Sequence, residues 1–374
     1  MTRQTERIPL MAPSPGTERT LTVHRFGTPG ARPKAYVQGS LHADELPGGL
    51  VAHHLSGMLD KAQVIGEIVL VPAANPIGLD QRMLGHHIGR HFGGTGDNFN
   101  RGYPDLTDAV VERVEGRLGP DQAANADLIH AAMAAAAADL EPATELDTLR
   151  FTLMRLAADA DIVLDLHCDQ EAELYIYLGE DLWPEARDLS ADLGAVATLL
   201  ALDSGGGSFD EAFSLPWWNL KQRFQDKPIP AGCLSTTVEL RGSADVYDDL
   251  AAQDAAGLLR FLQRRGLVAG DPGPMPDLIA EATPLTGCDM IRAPVGGIVA
   301  YRRELGEIVA AGDVIAEIVD QTAPQDQART PVATRSAGRL FSRSDKRWAR
   351  AGQPIAKVAG AEPLPDAGDY LLSD

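Results

Sequence analysis

The sequence predicts an α/β layer fold followed by a smaller all-β unit, and three observations carry that expectation. Apolar strand-like runs alternate with helically spaced ones from residue 32 onward. The 374 residues exceed the size at which a single core usually stops growing. A proline and glycine stretch, GDPGPMP at 270–276, then divides two different compositions. The expected units are residues 1–282 and 283–374.

The elements follow in order. A short apolar run at 35–37 ends before Gly39-Ser40 and reads as a strand, and Leu46–Leu59 has apolar residues at helical spacing. EIVLVP at 67–72 is compact enough for a strand buried on both faces. Asn75-Pro76 breaks into a loop expected to last to Pro104, rich in glycine and carrying His86, His87 and His91. The alanine-rich stretch at 123–140 has strong helix propensity, and 147–158 reads as a further helix. A strand at 161–166 places His167 at its C-terminal end. Strand-like runs at 174–178 and 235–240 flank a region with Trp217-Trp218, and a helix at about 249–264 closes the unit.

Beyond the linker, Gly312-Asp-Val-Ile-Ala-Glu-Ile matches Gly352-Gln-Pro-Ile-Ala-Lys-Val as G-x-x-I-A-x-[IV]. Two similar β half-units are implied. Their spacing resembles the biotinyl/lipoyl-type barrel, most clearly over 293–319. A carrier version has a lysine in the turn between the halves, and none occurs between Asp320 and Thr334. The expected role is therefore structural, or that of a cover over a pocket.

The formal net charge of -20 repels nucleic acid and anionic membrane surfaces, so neither is an expected partner. Three scattered cysteines, Cys168, Cys233 and Cys288, show no disulfide framework, which makes a reducing cytoplasm the expected compartment. No apolar run reaches the ~18 residues of a spanning helix or reads as a signal segment. The oligomeric state, a homo-oligomer included, is left open.

The chemistry-bearing residues cluster at strand ends. His42 and Glu45 stand three positions apart where a strand gives way to a helix, so one turn can aim both at a single ion. A catalytic zinc needs three protein ligands and an open position, and His167 at the end of another strand completes a His₂Glu set. Glu239, at the end of the run 235–240, suits a general base. Asn100 and Arg101 can clamp a carboxylate. Arg90 can polarise a carbonyl and stabilise an oxyanion, with Arg82 as the competing choice.

The ordered set H-x-D-E, N-P, G-R, N-F-N-R-G-Y-P, D-L-H and T-V-E resembles the aspartoacylase and succinylglutamate desuccinylase family, relatives of zinc carboxypeptidases, over about 34–264. The resemblance implies a carboxypeptidase-like mixed sheet flanked by helices, with a C-terminal β domain. It implies one zinc ion on His42, Glu45 and His167, substrate contacts from Arg90, Asn100 and Arg101, and Glu239 as base. The implied reaction is hydrolysis of a small linear amide, such as an N-acyl amino acid. Three features depart from the family pattern: Cys168-Asp169 after the third ligand, Arg241-Gly242 as a further cation near the base, and the histidines of the long loop, which could hold a second metal. The rival readings are a metallocarboxypeptidase or peptidoglycan amidase, and a non-catalytic binding scaffold.

Overall fold

Strands that read as unbroken apolar runs lie where helices cover both faces of a sheet. The structure, a computed structural model, describes residues 3–365. Its main strands are β1 (Gln4–Pro9), β2 (Thr20–Gly27), β3 (Lys34–Gly39) and β4 (Glu67–Val71), followed by a small hairpin of β5 (Arg82–Met83) and β6 (His86–His87). Then come β7 (Ile162–Asp169), β8 (Glu171–Ala172), β9 (Tyr175–Leu178), β10 (Ala197–Leu200), β11 (Leu234–Gly242) and β12 (Thr283–Pro284). Nine of them form one sheet in the order β1-β2-β4-β3-β7-β11-β9-β10-β12. It is mixed: β4, β3, β7 and β11 run parallel, whereas β9 is antiparallel to β11.

Among the described residues, eight α-helices connect the strands: α1 (Leu46–Leu59), α2 (Pro76–Leu79), α3 (Thr107–Val114), α4 (Gln122–Ala138), α5 (Glu145–Ala157), α6 (Arg187–Leu193), α7 (Glu211–Arg223) and α8 (Asp248–Arg264). Strand alternation sorts the core into two layers. Tyr36, Val69, Val71 and Val163 pack with α3, α4, α5 and α7. Ala35, Val37, Ile68, Leu70, Leu164 and Leu166 pack with α1, α6 and α8. Because β3, β7 and β11 are parallel, their carboxyl ends share one edge, the usual site of ligand crevices in such sheets.

The expected helices and strands occur to within a few residues, and α5 also carries a Thr144/Asp147 capping box. Three differences have physical causes. β1 is polar and exposed, and only its register with β2 makes it a strand. α7 contains Pro216 and so lacks a clean helical signature. The segment 76–104 is not featureless: it holds α2 and the β5–β6 hairpin, whose turn uses positive φ at Leu84 and Gly85. The Gln81 amide staples it, donating to the carbonyls of Ile88 and His91 and accepting from the Gly93 N–H.

The C-terminal strands are β13 (Cys288–Arg292), β14 (Gly297–Tyr301), β15 (Ile308–Val309), β16 (Val314–Val319), β17 (Arg329–Ala333), β18 (Gly338–Arg343), β19 (Trp348–Ala349) and β20 (Pro354–Gly360). One sheet runs β13-β20-β18-β15 and the other β17-β16-β14-β19. The repeated motif falls on β16 and β20, at equivalent places in the two sheets. Each half lends a short strand to the other: β15 pairs with β18, and β19 with β14. This all-β region is joined to the large sheet through β8, which pairs with β18.

Candidate active site

The turn after β3 is held by backbone contacts that side chains would prevent. A Cβ on Gly39 would lie 2.5 Å from the Gly48 carbonyl oxygen, and one on Gly48 would lie 2.3 Å from that of Leu166. The start of α1 thus rests directly on the ends of β3 and β7. Asn75 Nδ2 donates to the Leu41 carbonyl, and the Ala43 N–H to the Gly89 carbonyl, which fixes the segment carrying His42.

Glu45 occupies the N-cap position of α1 without capping it, because its carboxylate faces two histidines instead. Its Oε1 lies 2.9 Å from His42 Nδ1, and its Oε2 lies 2.8 Å from His167 Nδ1 and accepts from the Cys168 N–H. The three side chains are buried, with donor atoms all within 4.8 Å of one another. Among the described residues this is the only such group of three or more His, Cys, Asp or Glu side chains, so the histidines of the 82–98 loop form no second one.

The tautomer of His42 follows from its neighbours. Asn98 Oδ1 accepts from the Asn100 N–H at 2.8 Å, so that atom is the amide oxygen. His42 Nε2, 2.8 Å from the same oxygen, must therefore donate to it. Burial lowers the pKa of the ring and favours its neutral form, which leaves Nδ1 a bare lone pair facing the Glu45 carboxylate. Two acceptors at that distance repel unless positive charge sits between or beside them. Arg90 Nη1 supplies some, at 2.9 Å from Glu45 Oε1 and 3.2 Å from His42 Nδ1. Two imidazoles and a carboxylate with this polarity fit a zinc ion. Asp165, on the same strand face as His167, places Oδ2 2.9 Å from His167 Nε2, with an angle too poor for a full hydrogen bond.

Glu239 sits opposite His167 in the β7–β11 register, just before a bulge between Glu239 and Gly242. Burial, reinforced by the charge of Glu45, pushes its carboxyl up to about 8, and its buried Oε2 has no hydrogen-bond partner. Arg241 takes positive φ in the bulge and turns its guanidinium onto Asp254, with both oxygens within 2.9 Å. It is thus committed to α8 and does not line the pocket, contrary to the expectation of a further active-site cation. The Cys168 thiol is pushed far up by burial and stays protonated.

His42, Arg90, Asn100, Arg101, His167 and Glu239 all line one pocket of about 870 Å³ counting its open mouth. Glu45 lies behind them, in an adjoining cavity. Arg82 is exposed on the hairpin and bonds the carbonyls of Leu79 and Gln81, which removes it as the alternative to Arg90. Asn100 is engaged at both ends: Oδ1 accepts from the Phe209 N–H, and Nδ2 lies 3.4 Å from His167 Nε2.

Sequence reasoning missed three residues here. Asn98 and Asp165 back the two histidines, and the signal for Asp165 was its spacing of two from His167 on one strand face. The third is Lys357, which reaches the pocket from β20 together with Met290 from β13. Its Nζ lies 2.7 Å from Asp169 Oδ2, which also accepts from Ser342 Oγ and Tyr175 Oη.

Residues 31–138 match the family described as the succinylglutamate desuccinylase/aspartoacylase catalytic domain. No curated protein sequence matches the chain. A protein of Shewanella amazonensis assigned to the same family has a similar structure, with a TM-score of 0.83 and 26% identity, over 95% of this chain and 98% of that one. A second, from Shewanella frigidimarina, gives a TM-score of 0.87 and 25% identity over 98% and 100%. The ectoine utilization protein EutE (DoeB) of Ruegeria pomeroyi shares the fold, with a TM-score of 0.67 and 19% identity over 96% and 95%. The matched segment carries the turn with His42 and Glu45, and the likeness to the two Shewanella proteins runs through both the large sheet and the C-terminal strands. Over residues 31–138 in sequence, and over nearly the whole chain in fold, the protein is thus similar to the succinylglutamate desuccinylase/aspartoacylase family.

Proposed function

We propose that the chain is a zinc-dependent hydrolase of small linear amides, acting on N-acyl amino acids. The observation that carries this reading is the bare Nδ1 of His42 turned onto Glu45, with the unpartnered Oε2 of Glu239 on the same pocket. His42, Glu45 and His167 would hold one zinc ion. Bound there, zinc supplies Lewis-acid polarisation of the amide carbonyl and acidifies the attacking water.

The chain's own residues do the rest. Glu239 Oε2 takes a proton from the water and passes it to the leaving nitrogen, and a carboxylate made more basic by burial suits that exchange. Arg90 presents N–H donors to the carbonyl oxygen as negative charge develops there. Arg101, with Asn100 beside it, meets the substrate carboxylate. Met290 and Lys357 form part of the pocket wall, which supports small substrates over polypeptide chains.

The test combines metal analysis with hydrolysis of a panel of N-acetyl and N-succinyl amino acids and of unblocked peptides. Glu239→Gln is expected to keep about one zinc per chain and to lose ~10²–10⁴-fold in kcat. Activity confined to unblocked peptides, or near-normal turnover by that variant, would sink the reading.

A further inference from the structure

The site opens on two sides, and the amide chemistry above uses only one. Asn100 and Arg101, which meet the substrate carboxylate, line the first pocket. Glu45 lines the second, a cleft of about 1470 Å³ counting its open mouth, walled by the end of β7 on one side and by β18 and β20 on the other. Arg90, Cys168, Asp169 and Lys357 line both spaces and so form the neck between them. An amide with its carboxylate on Arg101 and its carbonyl at Arg90 directs its acyl chain, on the far side of the carbonyl, through that neck into the cleft.

The charges of the cleft are spent on one another. Arg90 pairs with Glu45 at 2.9 Å, Lys357 with Asp169 at 2.7 Å and Lys346 with Asp345 at 2.7 Å, while Glu171 holds Arg343 at 2.8 Å. No cation in the described lining therefore lacks an acidic partner. A carboxylate at the end of the acyl chain would stand among Asp44, Asp169 and Asp345, in the field of a chain of net charge -20. An alkyl chain would strip water from the polar walls without replacing its hydrogen bonds. What the lining leaves on offer is neutral: Gln170 and Ser243 are exposed and Gln353 is half-buried. Amides and hydroxyls both donate and accept, and the ligand that suits them is polar and uncharged.

We propose that this cleft holds the acyl half of the substrate and selects an uncharged, hydrogen-bonding acyl chain longer than acetyl, such as one ending in a primary amide. This rests on the deacylase reading above, but its test reads binding without turnover. Zinc-loaded Glu239→Gln is titrated calorimetrically with N-succinamyl-, N-succinyl- and N-isocaproylalanine, whose acyl chains match in size and end in a carboxamide, a carboxylate or an isopropyl group. The carboxamide is expected to bind ~10-fold or more tighter than either of the others. Adding Ser243→Trp, which narrows the cleft, or Gln353→Leu, which removes an amide at similar size, is expected to shrink that preference to about 2-fold or less, with zinc content as the check on folding. Equal binding of the three, tighter binding of the carboxylate or the isopropyl ligand, no measurable binding of any, or a preference that survives both variants overturns the acyl cleft. The wild type is assayed in parallel for hydrolysis of the same compounds and of N-acetylalanine. Carboxamide preference without cleavage upholds the cleft and refutes the deacylase, whereas cleavage without that preference does the reverse, so the two failures are distinguishable.

Discussion

The strand-end platform and the C-terminal sheets face one pocket but are built differently. On the platform, polar side chains are fixed by close neighbours at the ends of β3 and β7, and the two rings are backed by Asn98 and Asp165. The C-terminal strands reach the pocket through charge pairs across a seam, Lys357 on Asp169 and Arg343 and Arg347 on Glu171. The platform is therefore organised to concentrate charge, and the seam to neutralise it. Glu45 and Glu239 show the contrast within the platform itself. Burial raises both carboxyls, but at Glu45 the charge of His167 and its contact with Oε2 offset it and hold that group well below its usual range.

The sharpest way to break this comparison is His42→Ala, which removes one of three donors. Zinc content is expected to fall from about one per chain to near zero, with loss of all measurable hydrolysis, read by metal analysis and assay. Full zinc retention would remove His42 from the ligand set.

The next largest effect concerns pH. Glu239 has an ordinary carboxyl value of 4.5 in the unfolded chain and about 8 in the fold. The folded, metal-free protein thus holds a proton that the unfolded chain releases between those values. Stability from this group is full below about 4.5 and is lost as pH rises through about 8. Urea unfolding of the metal-free protein from about pH 5 to 8 is expected to show wild type losing a few kcal/mol relative to Glu239→Gln. Parallel profiles for the two proteins would contradict the raised value.

Asp165→Asn sharpens the comparison inside the platform. Removing the charge behind His167 is expected to weaken zinc about 10–100-fold while leaving the fold intact, as competition with a chelator would show. The smallest effect belongs to the seam. Lys357→Met leaves Asp169 its Ser342 and Tyr175 donors and is expected to cost about 1–3 kcal/mol in thermal or urea unfolding. Adding Asp169→Asn is expected to recover part of that loss, because the unpaired charge is then gone.

Local features were legible early because they act over short stretches of chain. His42 and Glu45 are three residues apart, α1 follows from the spacing of its apolar residues, and the halves of the C-terminal repeat share a motif. Strand ends at His167 and Glu239 followed from runs of apolar residues whose limits are chemical. The segment 76–104 was harder, since Gln81 organises it through backbone bonds that leave no periodicity.

Sequence by itself determined the α/β order, the strand-end histidines and carboxylates, and the repeat that pairs the two C-terminal sheets. Only the tertiary structure decided which groups face one another. Glu45 meets His167 across 122 residues, Asn98 meets His42 across 56, and Lys357 meets Asp169 across 188. The reason is physical: an apolar pattern sets which face of an element is buried, whereas the partner of a buried polar atom depends on which distant elements the sheet order brings to the same edge. The tautomer of His42 and the commitment of Arg241 to Asp254 are both of that second kind.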